Sequence, residues 1–326
     1  RQRLLREVLQ HYPAPQEAWE RVVSPGKEAA WQRAQEELEF VNKHQIRTYY
    51  RFDSDYPARL AECSDAPVLL YTKGNVNMQD GHFVSVVGTR QATERGKMIT
   101  REFVLGLAEQ LPQLTIVSGL AYGIDIAAHR AALEAGIPTL IIPAHGLDRI
   151  YPASHRPEAV RSLENGGIVT EYMSGTTPER HNFVARNRII AGLADCTVVV
   201  ESRARGGSLI TASMAFDYSR PVFAVPGRIN DDSSAGCNEL IRDQRASLLQ
   251  KPDDLIEAMM WATEKHPVQT SLQGLNTADD SDLTDEEQLL MRLLREAEDG
   301  ILVNDLAEET EMTYPDIITH LMTLER

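Results

Sequence analysis

The chain has 326 residues, enough for two or three domains and a large core, and its 42% hydrophobic and 25% charged content is ordinary for a water-soluble protein. No apolar run approaches the roughly 20 residues of a membrane-spanning helix, no secretory h-region is visible, and Cys63, Cys196 and Cys237 lack metal-ligand spacing, so the expectation is a cytoplasmic protein with free thiols, no membrane contact and no cofactor. The net charge of −15 falls almost wholly on residues 251–326, with 5 Lys/Arg against 19 Asp/Glu, while residues 81–250 balance at 17 and 17; a local basic face for a polyanion is therefore not excluded.

Residues 1–48 read as a small helical module. Leu4, Leu5, Val8 and Leu9 share one face, Ala30, Ala34, Leu38 and Val41 share another, and Pro13, Pro15, Pro25 and Gly26 break the pattern between them. In residues 49–80, Tyr56-Pro57 and Asp65-Ala66-Pro67 bracket a short helix, and Val68–Tyr71 predicts a strand ending at Gly74.

From residue 82 the pattern alternates. Strands are predicted at 83–87, 114–118, 138–142, 167–171, 196–200 and 221–225. Helices are predicted at 93–110, 123–135, 156–165, 180–193, 207–219 and 252–262. Apolar runs of four to six alternating with helices of this length predict an α/β fold with a doubly wound parallel sheet, and such sheets take ligands at the carboxyl ends of their strands. Residues 265–282 read as a polar linker with an acidic run at Asp279–Asp282. Thr284 and Glu287 form a capping box ahead of helices at 285–297, 303–309 and 314–325, a helix-turn-helix-like unit. Its last helix is acidic, which favours a protein-contact or degenerate module, and the chain stops where a wing would begin. The expected domains are thus 1–48, 49–264, the linker 265–282, and 283–326.

The chemistry gathers after strand ends. Gly88-Thr89-Arg90 follows the first strand of the alternating region, and Ser118-Gly119 through Gly123 follows the second. Each turn aims backbone N–H groups and a helix start at one place, where an anion fits; Arg90 is either a surface residue on a turn or a phosphate fork. The pattern lacks a complete Gly-x-Gly-x-x-Gly fingerprint and a P-loop, so a dinucleotide or nucleoside triphosphate is not supported. Asp125 and His129, four apart, are either an acid–base pair or a buried hydrogen-bonded pair that orients the turn. Arg180 through Arg188 holds three Arg, one His, two Asn and one Phe, and no acid follows until Asp195. Arg186, Asn187 and Arg188 for phosphates with Phe183 for a base is the recipe for a single strand. Arg203-Ala204-Arg205-Gly206-Gly207-Ser208 follows the strand ending at Val200, repeats the Gly-turn logic and adds two Arg. Between residues 81 and 250 Arg outnumbers Lys sixteen to one, which favours forked contacts over point charges. No nucleophile–base constellation is evident, and no enzyme is expected.

These stretches resemble the DprA/Smf family, the DNA-processing proteins of bacterial natural transformation. The likeness is carried by Val87–Arg90, Ser118–Asp125, His145–Asp148 with Tyr151-Pro152, Pro178–Leu193, Gly207–Ala212 and Val222–Gly227. It implies an extended Rossmann-like domain that binds single-stranded DNA, works as a homodimer and loads the recombinase RecA. It also implies a sterile-alpha-motif-like domain before it and a winged-helix-like domain after it. The family's DNA-contacting positions fall on Arg90, Arg186, Arg188 and Arg156, and the dimer contact is expected around Ile229–Ile241. The alternative is a nucleotide phosphoribohydrolase of the lysine-decarboxylase-like type. That type needs a Glu after its Gly-rich turn, and here none follows Gly206-Gly207 before Asp217.

Overall fold

The computed structural model describes residues 26–261 and, in a second unit, residues 283–296, 301, 303–310 and 312–324. The first unit opens with α1 (Lys27–Lys43), β1 (Arg47–Tyr50), the single turn α2 (Ala58–Ala61) and β2 (Leu69–Asn75). Then follow β3 (His82–Val87), α3 (Glu94–Gln110), β4 (Leu114–Ser118), α4 (Ile124–Ala135) and β5 (Thr139–Ile141). A 3₁₀ turn at Ala153–His155 runs into α5 (Arg156–Arg161), and β6 (Gly166–Thr170), α6 (Arg180–Leu193) and β7 (Cys196–Val199) come next. The unit ends with α7 (Ser208–Asp217), β8 (Val222–Ala224), α8 (Ala235–Arg242), β9 (Ser247–Leu248) and α9 (Pro252–Ala258).

Among the described residues nine strands form one sheet in the order β1-β2-β6-β5-β4-β3-β7-β8-β9. All neighbours from β6 to β9 are parallel. The expected all-parallel sheet is corrected at one edge, where β1 and β2 pair antiparallel and β2 runs antiparallel to β6. That junction is close: Gly74 has φ +113°, and a Cβ there would sit 2.7 Å from the Gly166 carbonyl oxygen. Only glycine fits such an approach.

Strand β3 shows why the sheet is buried on both faces. Phe83 and Val87 pack with Ile189, Ile190 and Leu193 of α6 and with Ala212 and Ala215 of α7. Val84 and Val86 point the other way, against Phe103, Val104 and Leu107 of α3 and Ile124 and Ala128 of α4. Each such side chain contributes roughly 1.5–3 kcal/mol by leaving water, and a strand buried on both sides reads as an unbroken apolar run.

Helix α1 packs Val41 with Ile46 and Tyr71, and the Glu37 carboxylate accepts the Ser174 N–H at 2.9 Å. Strand β1 brings Arg47 and Thr48 into the sheet, so the expected boundary between residues 48 and 49 falls inside a strand. Helix α8 occupies much of the segment around Ile229–Ile241 where the dimer contact is expected. The first part of the helical module, residues 1–25, and the linker at 265–282 lie outside the described residues.

The second unit holds α10 (Asp285–Glu296), α11 (Val303–Thr310) and α12 (Tyr314–Leu324) around Leu290, Leu306 and Ile317. The capping box forms: Glu287 accepts the Thr284 N–H at 2.9 Å, and Thr284 Oγ1 accepts the Glu287 N–H at 3.3 Å. Among the described residues no helix is long and apolar enough to cross a membrane.

The chain adds β4, β5 and β6 to one side of β3, then returns to place β7, β8 and β9 on the other. The sheet therefore reverses its winding between β3 and β7, and a crevice opens at their carboxyl ends.

Candidate functional site

Three turns meet at that crevice. The Thr89 N–H donates to the Glu201 carbonyl at 2.7 Å, joining the turn after β3 to the turn after β7. The buried Glu201 carboxylate accepts the Thr93 N–H at 2.9 Å and the Thr93 hydroxyl at 2.5 Å, and Thr93 is the N-cap of α3. The turn after β4 is set by Gly123, with φ +79°, where a Cβ would lie 2.1 Å from the Thr89 carbonyl oxygen. The Ser208 hydroxyl, at the start of α7, donates to the Ser202 hydroxyl at 2.9 Å.

Together with α6 these turns enclose a cavity of about 610 Å³. Gly88, Thr89 and Arg90 form one wall, Arg180, Phe183, Val184, Arg186 and Asn187 of α6 a second, and Arg203, Arg205, Gly206, Gly207 and Ser208, with Ile210 and Thr211, a third. Arg90, Arg180, Arg203 and Arg205 are exposed, and among the described residues none of the four is ion-paired to a carboxylate. The Arg90 guanidinium lies 5.0 Å from the centroid of the Phe183 ring. Cation and aromatic face thus lie within the span of one nucleotide.

The floor differs. Arg186 is only 3% exposed, and its guanidinium donates to the carbonyls of Gly119, at 2.8 Å, and Ile142. Burial pushes its pKa down to about 10, opposed by the nearby Asp125 carboxylate. Burial pushes the Asp125 carboxyl up, opposed by Arg186, by the Ala121 N–H and by Arg90. Each of the two buried groups therefore favours the charged form of the other. His129 is not Asp125's partner: its Nδ1 lies 2.7 Å from the Thr139 hydroxyl. Neither form of the expected Asp125–His129 pair is present.

Of the residues singled out in the sequence, Gly88, Arg90, Phe183, Arg186, Asn187, Arg205, Gly206, Gly207 and Ser208 line the cavity. Ser118 and Gly119 lie beneath it: the Ser118 hydroxyl donates to the Val86 carbonyl at 2.6 Å, and Gly119 receives Arg186. Gly123 shapes the turn from behind. Arg156 is exposed at the start of α5, outside the walls. Arg188 needs correction as a DNA contact. It is buried, ion-paired to Glu171, and donates to the Asp65 carbonyl. At 3.6 residues per turn, positions 186 and 188 point about 200° apart, so both cannot face one cleft. Thr89, Val184, Ile210 and Thr211 also line the cavity; they lie inside the stretches singled out in the sequence but carry no charge to mark them as contacts. Among the described residues no cluster of three His, Cys, Asp or Glu could hold a metal ion.

Several known proteins are similar to this chain in sequence and fold. The profile of the family described as DNA recombination-mediator protein A matches residues 47–260. The X-ray structure of DNA processing protein A from Streptococcus pneumoniae is 39% identical, covers 67% of this chain and 77% of its own, and superposes with a TM-score of 0.62. DNA processing protein A from Helicobacter pylori, a structure described for its single-stranded DNA binding mode, is 30% identical, covers 66% of this chain and 96% of its own, and gives a TM-score of 0.59. A DprA relative from Mycobacterium tuberculosis is 37% identical over 238 residues, and the match takes in 69% of this chain but 60% of that protein's length.

Proposed function

The chain belongs to the DNA recombination-mediator protein A family, and on that premise we propose that its crevice binds single-stranded DNA. One observation carries the reading: among the described residues, four exposed arginines without a carboxylate partner, from the turn after β3, from α6 and from the turn after β7, line the same cavity as Phe183, and one of them, Arg90, lies over its ring. Guanidiniums fork onto phosphates, and an aromatic face accepts any base. A flexible polyanion with flat bases satisfies both requirements, whereas a small neutral ligand uses neither. The single-stranded DNA binding named for the Helicobacter pylori relative supports the same reading.

We extend the proposal to a recombination mediator of natural transformation. In this role the protein protects incoming single strands in the cytoplasm as a homodimer and loads RecA onto them. The family supports this role. We assign no catalysis and no cofactor. The phosphoribohydrolase alternative is not favoured, because the carboxylate among the cavity walls is Asp125, held against Arg186 at the floor, and the start of α7 offers none.

Titration of the full chain with oligothymidylate and with duplex of equal length, at several salt concentrations, tests the proposal. Tighter binding of the single strand is expected, with affinity falling as salt rises by a log–log slope of about −0.7 per phosphate contact. Equal affinity for duplex and single strand, or no salt dependence, counts against it.

A further inference from the structure

The stretch His145–Asp148 with Tyr151-Pro152 lies outside the walls of the crevice, yet buried hydrogen bonds are committed to it. His145 is 1% exposed. Its Nδ1 lies 2.8 Å from the Gly146 carbonyl, which places the ring proton there, and its other nitrogen, Nε2, accepts the Tyr151 N–H at 3.1 Å. Burial lowers the pKa of this imidazole, so the ring stays neutral and able to accept. The Thr170 hydroxyl donates to the His145 carbonyl at 3.0 Å, and the Asp148 carboxylate accepts the Gly175 N–H at 2.9 Å.

These bonds hold an aromatic ring out in solvent. Tyr151 is 48% exposed, and its ring centroid lies 6.1 Å from that of Phe183, with the planes 58° apart. Three residues on, Ser154 Oγ lies 3.1 Å from the hydroxyl of Tyr122, whose ring is 50% exposed. The Tyr122 ring meets His155 edge-on at 4.7 Å, and the buried His155 has its Nδ1 2.9 Å from the Leu120 carbonyl. Segment 151–155 is thus tied to the turn after β4, whose Ala121 lines the crevice, and it links two exposed tyrosines beyond Phe183.

We propose that Tyr151, and after it Tyr122, continue the base-stacking path that begins at Phe183, so that a single strand leaving the crevice runs along this rim. The inference rests on the crevice holding single-stranded DNA. His145 acts as a positioning residue that aims Tyr151. Stacking is tolerant of base identity, so the path adds affinity with length and no sequence preference. It also gives Arg156, exposed at the start of α5, a phosphate at the far end.

Fluorescence anisotropy with oligothymidylates of increasing length, on the full chain and its Tyr151→Leu, Tyr151→Phe and Tyr122→Leu variants, tests the path. Tyr151→Leu is expected to lose roughly five- to hundredfold in affinity for long oligonucleotides, the scale of one lost stacked base. It keeps wild-type affinity for the shortest oligonucleotide that still binds. Tyr151→Phe tracks the wild type at every length, and Tyr122→Leu loses affinity only at the greater lengths. Unchanged binding of Tyr151→Leu at all lengths overturns the path, as does an equal loss at all lengths. Absence of binding by the wild type is a separate outcome that removes the reading of the crevice itself.

Discussion

The Arg186 guanidinium donates to the Gly119 carbonyl oxygen 2.8 Å away, at the end of β4. It donates also to the Ile142 carbonyl beyond β5 and faces the buried Asp125. Arg186 is therefore a strut between α6 and two strand ends before it is anything to a ligand. Arg186→Met keeps much of the volume and removes the charge, leaving Asp125 buried without its cation. A destabilisation of about 3–5 kcal/mol is expected, the scale for breaking a buried pair. It should appear as a lower urea midpoint at unchanged m-value. A midpoint equal to the wild type's would show that Asp125 does not depend on this cation.

Arg90 should behave in the opposite way. It is exposed, and its guanidinium lies over the Phe183 ring. Arg90→Ala should leave stability within about 0.5 kcal/mol of the wild type. It should weaken single-strand binding by roughly 1–3 kcal/mol, the scale of a charge-assisted contact. The salt dependence should become shallower by about 0.7 in log–log slope. Full affinity in this variant would place the strand elsewhere.

Arg188 separates structure from binding. Its ion pair with Glu171 joins α6 to the segment after β6, and both side chains are buried, at 7% and 4% exposure. Arg188→Ala should cost about 3–5 kcal/mol of stability by leaving Glu171 buried without this cation. The folded fraction should bind oligothymidylate as the wild type does. A variant that is fully stable but binds poorly would return Arg188 to the DNA contacts.

Legibility in the sequence followed burial. Strands β3 to β8 were readable because parallel strands covered on both faces become short apolar runs, as in Phe83–Val87. Strands β1 and β9 were not, since Arg47–Tyr50 and Ser247–Leu248 are short, half-exposed edges with no such run. The antiparallel placement of β2 depends on close glycine contacts with β6 from 92 residues later, between Gly74 and Gly166. At the crevice, turns rich in Gly and Arg marked themselves. What the sequence could not separate was one arginine from another: Arg186 and Arg188 share a basic stretch, and their carbonyl and carboxylate partners come from distant segments. The exposure of Tyr151 was hidden for the same reason, because the nitrogen that fixes it belongs to His145 and only the fold shows that this ring is buried.

The buried His129 gives the fold an acid-sensitive element with a defined sign. Burial, then the Arg186 and His155 charges, push its pKa down to about 3, whereas in the unfolded chain it titrates near 6.5. Between those values the unfolded chain binds a proton that the native state refuses. The slope of stability with pH is then positive: the contribution is fully present above pH 6.5 and is lost as the pH falls toward 3. One such group supplies up to about 1.4 kcal/mol per pH unit. His129→Gln keeps a polar group opposite Thr139 but cannot titrate, so its stability should fall less steeply from pH 6.5 to 4. Carboxylates held low by their partners, such as Asp148 and Glu158, act in both proteins and drop out of the difference. Urea titrations of the two proteins at matched pH measure it, and parallel curves would mean that native His129 accepts a proton as readily as the unfolded chain does.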